Sequence, residues 1–113
     1  MNSEEKYSFR RKYPRRPLHK KVGVLFDGAY FICTSGEIGE GGMSIVSEYA
    51  LTEGRELVLN FQIPNGTFVT LRGLIKTVIA KHGTVTHGIA FDVIPLSFKR
   101  QIRAFVSTRT ISN

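Results

Sequence analysis

The chain has 113 residues, 42% hydrophobic and 22% charged, with a mean hydropathy of −0.07; that suffices for one domain with its own core, and no apolar run approaches the ~20 residues of a membrane-spanning helix. The net charge is +7, and it is concentrated: Lys6 to Lys21 hold eight basic residues and no acid, whereas from Val22 onward eight Lys and Arg face seven Asp and Glu. The excess implies an anionic partner, whether a phosphate-bearing ligand, nucleic acid or an anionic membrane.

Residues 1–20 show no helix or strand period and contain Pro14 and Pro17, so they read as an extended, flexible basic arm, since residues before proline avoid the helical region. Val22, Val24 and Phe26 alternate toward one face. Asp27-Gly28 supplies a tight hairpin turn, in which both central residues need positive φ. Ala29 to Thr34, aromatic and β-branched, is the return strand. Ser35 to Gly42 has four glycines in eight residues and reads as a loop, followed by a short strand over Met43 to Ser47.

Leu57, Leu59, Phe61 and Ile63 give the next strand one apolar face. Pro64-Asn65-Gly66 is a turn. Thr67 to Ala80 is a long β-rich run in which Gly73 suggests a bulge or bend. Lys81-His82-Gly83 turns the chain into a last strand, Thr84 to Val93. Pro95 ends the β-region, and Ser97 is placed to cap a helix over about 97–106. Its stripe is Phe98, Ile102, Phe105 and Val106, with Lys99, Arg100 and Arg103 off it. A tail follows at 109–113. About six short strands and one terminal helix predict an all-β fold, a small antiparallel barrel or sandwich.

No catalytic constellation stands out, so no enzyme, metal site or cofactor is expected. His19, His82 and His87 have no metal-ligand spacing with one another or with Cys33. His82 and His87 flank the last hairpin and read as exposed turn residues. Cys33, the one cysteine, lies in an apolar strand and reads as a small core residue. The segment after the glycine-rich loop is strand-like, which removes phosphate loops built on a helix N-terminus. The polar, acidic start, Met1 to Glu5, is not a secretory signal, so a cytoplasmic location is expected.

Two segments exceed what a fold needs. In the arm, Arg10, Arg11 and Arg15 present planar, permanently charged forks that grip phosphate bidentately, read a guanine edge or stack on a purine. In the loop, Gly39, Gly41 and Gly42 allow close approach to the backbone, and the Glu37 carboxylate has the acceptors for guanine N–H groups.

Arg11-x-x-x-Arg15, followed after the second strand by an acidic-x-small-x-x-Gly loop at Glu37 to Gly42, resembles the PilZ domain family of bacterial cyclic di-GMP receptors. Leu51 to Leu59, the Pro-Asn-Gly turn, His87-Gly-Ile-Ala-Phe-Asp and the closing helix fall at comparable places, so the likeness spans roughly residues 9–108. It implies a six-stranded antiparallel barrel over 21–108 with a C-terminal helix. By the same resemblance Arg11 and Arg15 clamp the guanines and phosphates, Arg10 adds a contact, and the loop holds the opposite side of the ligand. Glu37 stands where Asp or Asn is usual and Gly39 where Ser is usual; Gly42 matches.

The expected function is a cyclic di-GMP receptor whose arm orders on the ligand and signals to a downstream protein. The alternative is an adaptor that has lost the ligand and binds proteins alone. Nucleic acid is not expected, because the arm offers few aromatic stacking platforms, Phe9 and Tyr13 among them, beside its cations. Neither is membrane insertion, and a monomer or weak homodimer is the expected state.

Overall fold

The computed structural model describes residues 14–107. Among the described residues seven strands and one helix follow in order: β1 (Arg15–Pro17), β2 (Lys21–Phe26), β3 (Ala29–Gly39), β4 (Gly42–Ser47), β5 (Glu56–Gln62), β6 (Phe68–Lys81), β7 (Thr84–Phe91) and α1 (Leu96–Ser107). All ladders are antiparallel. The order β3-β2-β5-β6-β7-β4 closes on itself through a β3–β4 ladder, giving a six-stranded barrel, and β1 is an additional strand on β3. Closure removes the free edges that an open sheet would expose.

The alternation read in the sequence is the alternation of the wall. Val22, Val24, Leu59 and Phe61 have no exposed surface, and Leu57 and Ile63 are buried. Ile102 and Val106 of α1 join the same core, with Phe98 and Phe105 packed half-buried at its margin, so the apolar stripe does seat the helix on the barrel. The tight turns fall where expected: Asp27 (φ 51°) with Gly28 (φ 81°), Asn65 (φ 59°), and His82 (φ 52°) with Gly83 (φ 84°).

Five details differ from the sequence reading. First, the basic arm is not free along its whole length. Arg15, Arg16 and Pro17 pair with Gly39, Ile38 and Glu37, the Leu18 amide donates to the Gly36 carbonyl at 2.7 Å, and Leu18 is buried. Pro17 is tolerated because β1 is an edge strand. Second, the predicted glycine-rich loop is mostly strand. β3 runs to Gly39 and β4 resumes at Gly42, leaving only Glu40 and Gly41 as the turn. The ladder shifts register between Ser35 and Ile38, and the glycines there admit neighbours that a Cβ would exclude: at Gly36 it would run into the Ser44 hydroxyl.

Third, the bulge on β6 is not at Gly73 but between Ile75 and Thr77, with Lys76 the extra residue. Gly73 is a close-packing position, where a Cβ would meet the Ile89 side chain. Fourth, α1 opens on Pro95 rather than on a Ser97 cap: the Pro95 carbonyl accepts from the Phe98 and Lys99 amides, both at 3.0 Å. Fifth, His87 is fully buried. It shares the inward face of β7 with Val85 and Ile89, five residues beyond the turn at His82. The Leu51 amide donates to its Nε2 at 3.0 Å, so the proton resides on Nδ1.

Candidate functional site

β3 delivers Gly39 to the barrel rim, the Glu40-Gly41 turn reverses the chain, and β4 begins at Gly42 against Ala90 of β7. Gly42 is obligatory there, since a Cβ would run into the Ile89 carbonyl oxygen. β1 lies on the other side of β3 with Arg15 opposite Gly39. That pairing is close: a Cβ on Gly39 would stand 2.8 Å from the Pro14 carbonyl oxygen and 3.2 Å from Arg15 Cγ. On the far side, the β6 bulge turns Lys76 and Thr77 to the same region, an established use of bulges beside binding sites.

Together these elements enclose a cavity of about 410 Å³. Arg15, Gly39, Gly41 and Gly42 line it with Met43, Ser44, Lys76, Thr77, Gly88, Ile89 and Ala90. Two cations, Arg15 and Lys76, face a floor of glycine backbone, and none of the lining residues is acidic. Both breaks in the ladders beside the cavity are patched by hydroxyls. The Glu37 amide donates to Ser44 Oγ at 2.9 Å, and the Gly88 amide donates to Thr77 Oγ1 at 3.1 Å. Each satisfies an amide that a bulge would otherwise orphan. The volume suits a small-molecule ligand, and its charge suits an anion.

Of the residues singled out in the sequence, the structure brings together Arg15, Gly39, Gly41 and Gly42. Arg10 and Arg11 lie outside the described residues. Glu37 pairs with Pro17 and is not among the cavity's lining residues. Lys76, Thr77 and Ser44 were not anticipated. The one signal for Lys76 is that Lys76-Thr77 interrupts the apolar alternation of Val69, Leu71 and Ile75.

Glu40, between two lining glycines, is itself turned away and only 5% exposed. Arg103 of α1 grips it with two hydrogen bonds, from Nε at 2.9 Å and Nη2 at 3.0 Å. These bonds hold the carboxyl below its usual range against the opposing effect of burial. Arg16 reaches the same helix: its Nη1 donates to the Phe105 carbonyl at 2.9 Å and its guanidinium lies 4.4 Å from the Phe105 ring centroid. Elsewhere, burial pushes the Cys33 thiol up to about 11, which keeps it protonated and unreactive at neutral pH. Among the described residues no cluster of His, Cys, Asp or Glu could hold a metal, and no helix is long and apolar enough to cross a membrane.

A family model, the PilZ domain, matches residues 9–108. No curated protein matches the chain. Among solved structures, the Bacillus subtilis inhibitor of motility MotI/DgrA is similar with a TM-score of 0.78 at 14% identity, over 86% of this chain and 49% of that one. The Borreliella burgdorferi PlzA protein in complex with c-di-GMP gives 0.66 at 20% identity, over 92% of this chain and 44% of its own. The PilZ domain of YcgR from Escherichia coli with c-di-GMP gives 0.65 at 20% identity, over 86% and 88%. The chain thus spans about half the length of the first two and nearly the whole of the isolated YcgR domain.

Proposed function

The chain belongs to the PilZ domain family, and from that membership we propose that it is a receptor for cyclic di-GMP that binds in the cavity between β1, the β3–β4 turn and the β6 bulge. The observation that carries this reading is that Arg15, the second arginine of the Arg-x-x-x-Arg spacing, lines one cavity with Gly39, Gly41 and Gly42 of the other motif. Structural neighbours that include PlzA and the YcgR domain were solved with c-di-GMP, which agrees with an anionic ligand for a cationic, acid-free cavity.

The roles follow from the chemistry. The Arg15 fork donates to a phosphate or stacks on a guanine. Lys76, across the cavity, neutralises phosphate as a point charge. Gly39, Gly41 and Gly42 let the ligand approach the backbone, and Arg10 and Arg11 supply further guanidinium donors. Because Arg15 already runs in the sheet, its fork is seated beside the cavity before a ligand arrives. A downstream protein then reads the ligand-bound surface.

The adaptor reading has one observation in its favour: with β1 in place, Gly39 has no room for the serine usual in the family. Calorimetric titration decides between them at ~0.15 M salt, where exposed charges are screened beyond about 8 Å. Micromolar binding of cyclic di-GMP that falls at least about tenfold in Arg15→Ala, and less in Lys76→Ala, supports the receptor, since a charge-assisted hydrogen bond contributes about 1.5–3 kcal/mol. No binding to the natural chain overturns the receptor reading, and partner capture with the barrel as bait then tests the adaptor.

A further inference from the structure

The helix lies outside the cavity, yet two of the cavity's walls, β1 and the β3–β4 turn, are each tied to it by a residue that is not among the lining ones. Glu40 is flanked by the lining residues Gly39 and Gly41 and is held by both Nε and Nη2 of Arg103. Arg16 adjoins the lining residue Arg15 and is held on Phe105 by a hydrogen bond and a ring contact.

Neither tie is needed to seat the helix, because Ile102 and Val106 already lie in the core. Nor is a carboxylate needed to close a two-residue turn. Burying one is unfavourable unless its partner and geometry are good. A bidentate fork also fixes orientation, which a single charge does not. The pair fixes the plane of the Glu40 carboxylate, and through it the turn whose flanking glycines face the ligand.

We propose that Arg103 is a positioning residue of the cavity, acting through Glu40, so that the seating of α1 and the shape of the Gly39–Gly42 turn form one equilibrium, with Arg16 as the second strut. This rests on the receptor reading in treating the cavity as a ligand site. It adds that the helix is part of the binding apparatus.

The test uses the full chain with Arg103→Gln, Arg103→Lys and, as control, Arg100→Gln, a helix cation that is exposed. In ligand-free amide NMR spectra, both Arg103 variants are expected to move the Gly39, Gly41 and Gly42 signals while Val24 and Leu59, on the opposite wall, stay in place. With cyclic di-GMP as the probe, Arg103→Gln lowers affinity about tenfold, Arg103→Lys recovers part of it, and Arg100→Gln leaves it unchanged. The proposal is overturned if the shifts stay within α1 and Glu40, or if Arg100→Gln loses as much affinity as Arg103→Gln. Should Arg103→Gln not fold, the Arg103→Lys spectrum decides alone. If the natural chain binds no cyclic di-GMP, the receptor reading fails, and the glycine signals still decide this one: movement upholds it and stillness overturns it.

Discussion

The barrel has two kinds of wall. From the first half of β3 through β2 and β5 into the first half of β6, the ladders run without a break. On the other side, β4 and β7 pair regularly with each other but are bounded by a register shift on each flank, one in β3 and one in β6. The cavity lies against the broken wall. A regular ladder presents alternating side chains at fixed spacing, whereas a bulge re-aims a side chain and exposes backbone. The contrast separates glycines that serve the cavity wall from those that only turn the chain.

Gly42 against Gly28 gives the largest expected difference. Gly28 has φ 81° and open space around a would-be Cβ, so Gly28→Ala should destabilise by about 1 kcal/mol through backbone strain alone. At Gly42 the added carbon meets the Ile89 carbonyl oxygen, and two paired strands have to separate. Gly42→Ala should therefore destabilise by about 3 kcal/mol, a fall of roughly 15 °C in Tm for a domain of this size. Thermal unfolding of the two variants side by side checks this; equal losses would mean that the broken wall yields as easily as a turn.

An intermediate effect is expected from His87, which links β7 of the broken wall to Leu51. Burial holds its imidazole below the ordinary value of 6.5. Between the folded and unfolded values the unfolded chain binds more protons, so stability is full above about pH 6.5 and declines as pH falls below it. The Glu40 carboxyl, held below 4.5 by Arg103, titrates outside a pH 5–8 window. Tm measured across that window should drop toward pH 5, and His87→Gln, which keeps an acceptor for the Leu51 amide, should flatten the slope. A slope unchanged in the variant would assign it to other groups.

The same contrast explains what could be read from the sequence. The regular wall was legible because alternation is the signal: Val22 and Val24, then Leu57, Leu59, Phe61 and Ile63, point inward as their spacing requires. The broken wall was partly misread, because its glycines match the composition of a loop while serving close approach within strands. β1 was missed because three residues carry no period, and Pro14 before it and Pro17 within it argue for an unpaired arm. His87 was legible from the Val85-His87-Ile89 alternation, but its polar side chain suggested a turn. Arg15 and the glycines were found through motif spacing. Lys76 was not, because the bulge that aims it leaves only a faint interruption in the pattern. The Glu40–Arg103 pair spans 63 positions, and nothing local announces it.

The smallest effect on stability, and the sharpest on the broken wall, is expected from Gly39→Ser. The substitution restores the hydroxyl usual in the family, but its Cβ would sit 2.8 Å from the Pro14 carbonyl oxygen, so β1 or β3 has to give by a few tenths of an ångström. β3 has ladders on both sides, whereas β1 has one ladder, to β3, and the Arg16 contacts to Phe105 of α1, so β1 moves. Loosening a three-residue edge strand should change global stability by no more than about 1 kcal/mol. Local opening should respond more: the Leu18 amide, now bonded to Gly36 at 2.7 Å, should exchange with solvent several-fold faster, while the Val24 amide keeps its natural rate. If Leu18 exchange is unchanged, β1 accommodates a side chain at position 39, and the glycine there is not what lets the strand lie close. If it quickens while cyclic di-GMP affinity rises, the serine hydroxyl gains more at the ligand than the docked strand loses, and Gly39 marks a cavity that trades affinity for a pre-seated Arg15.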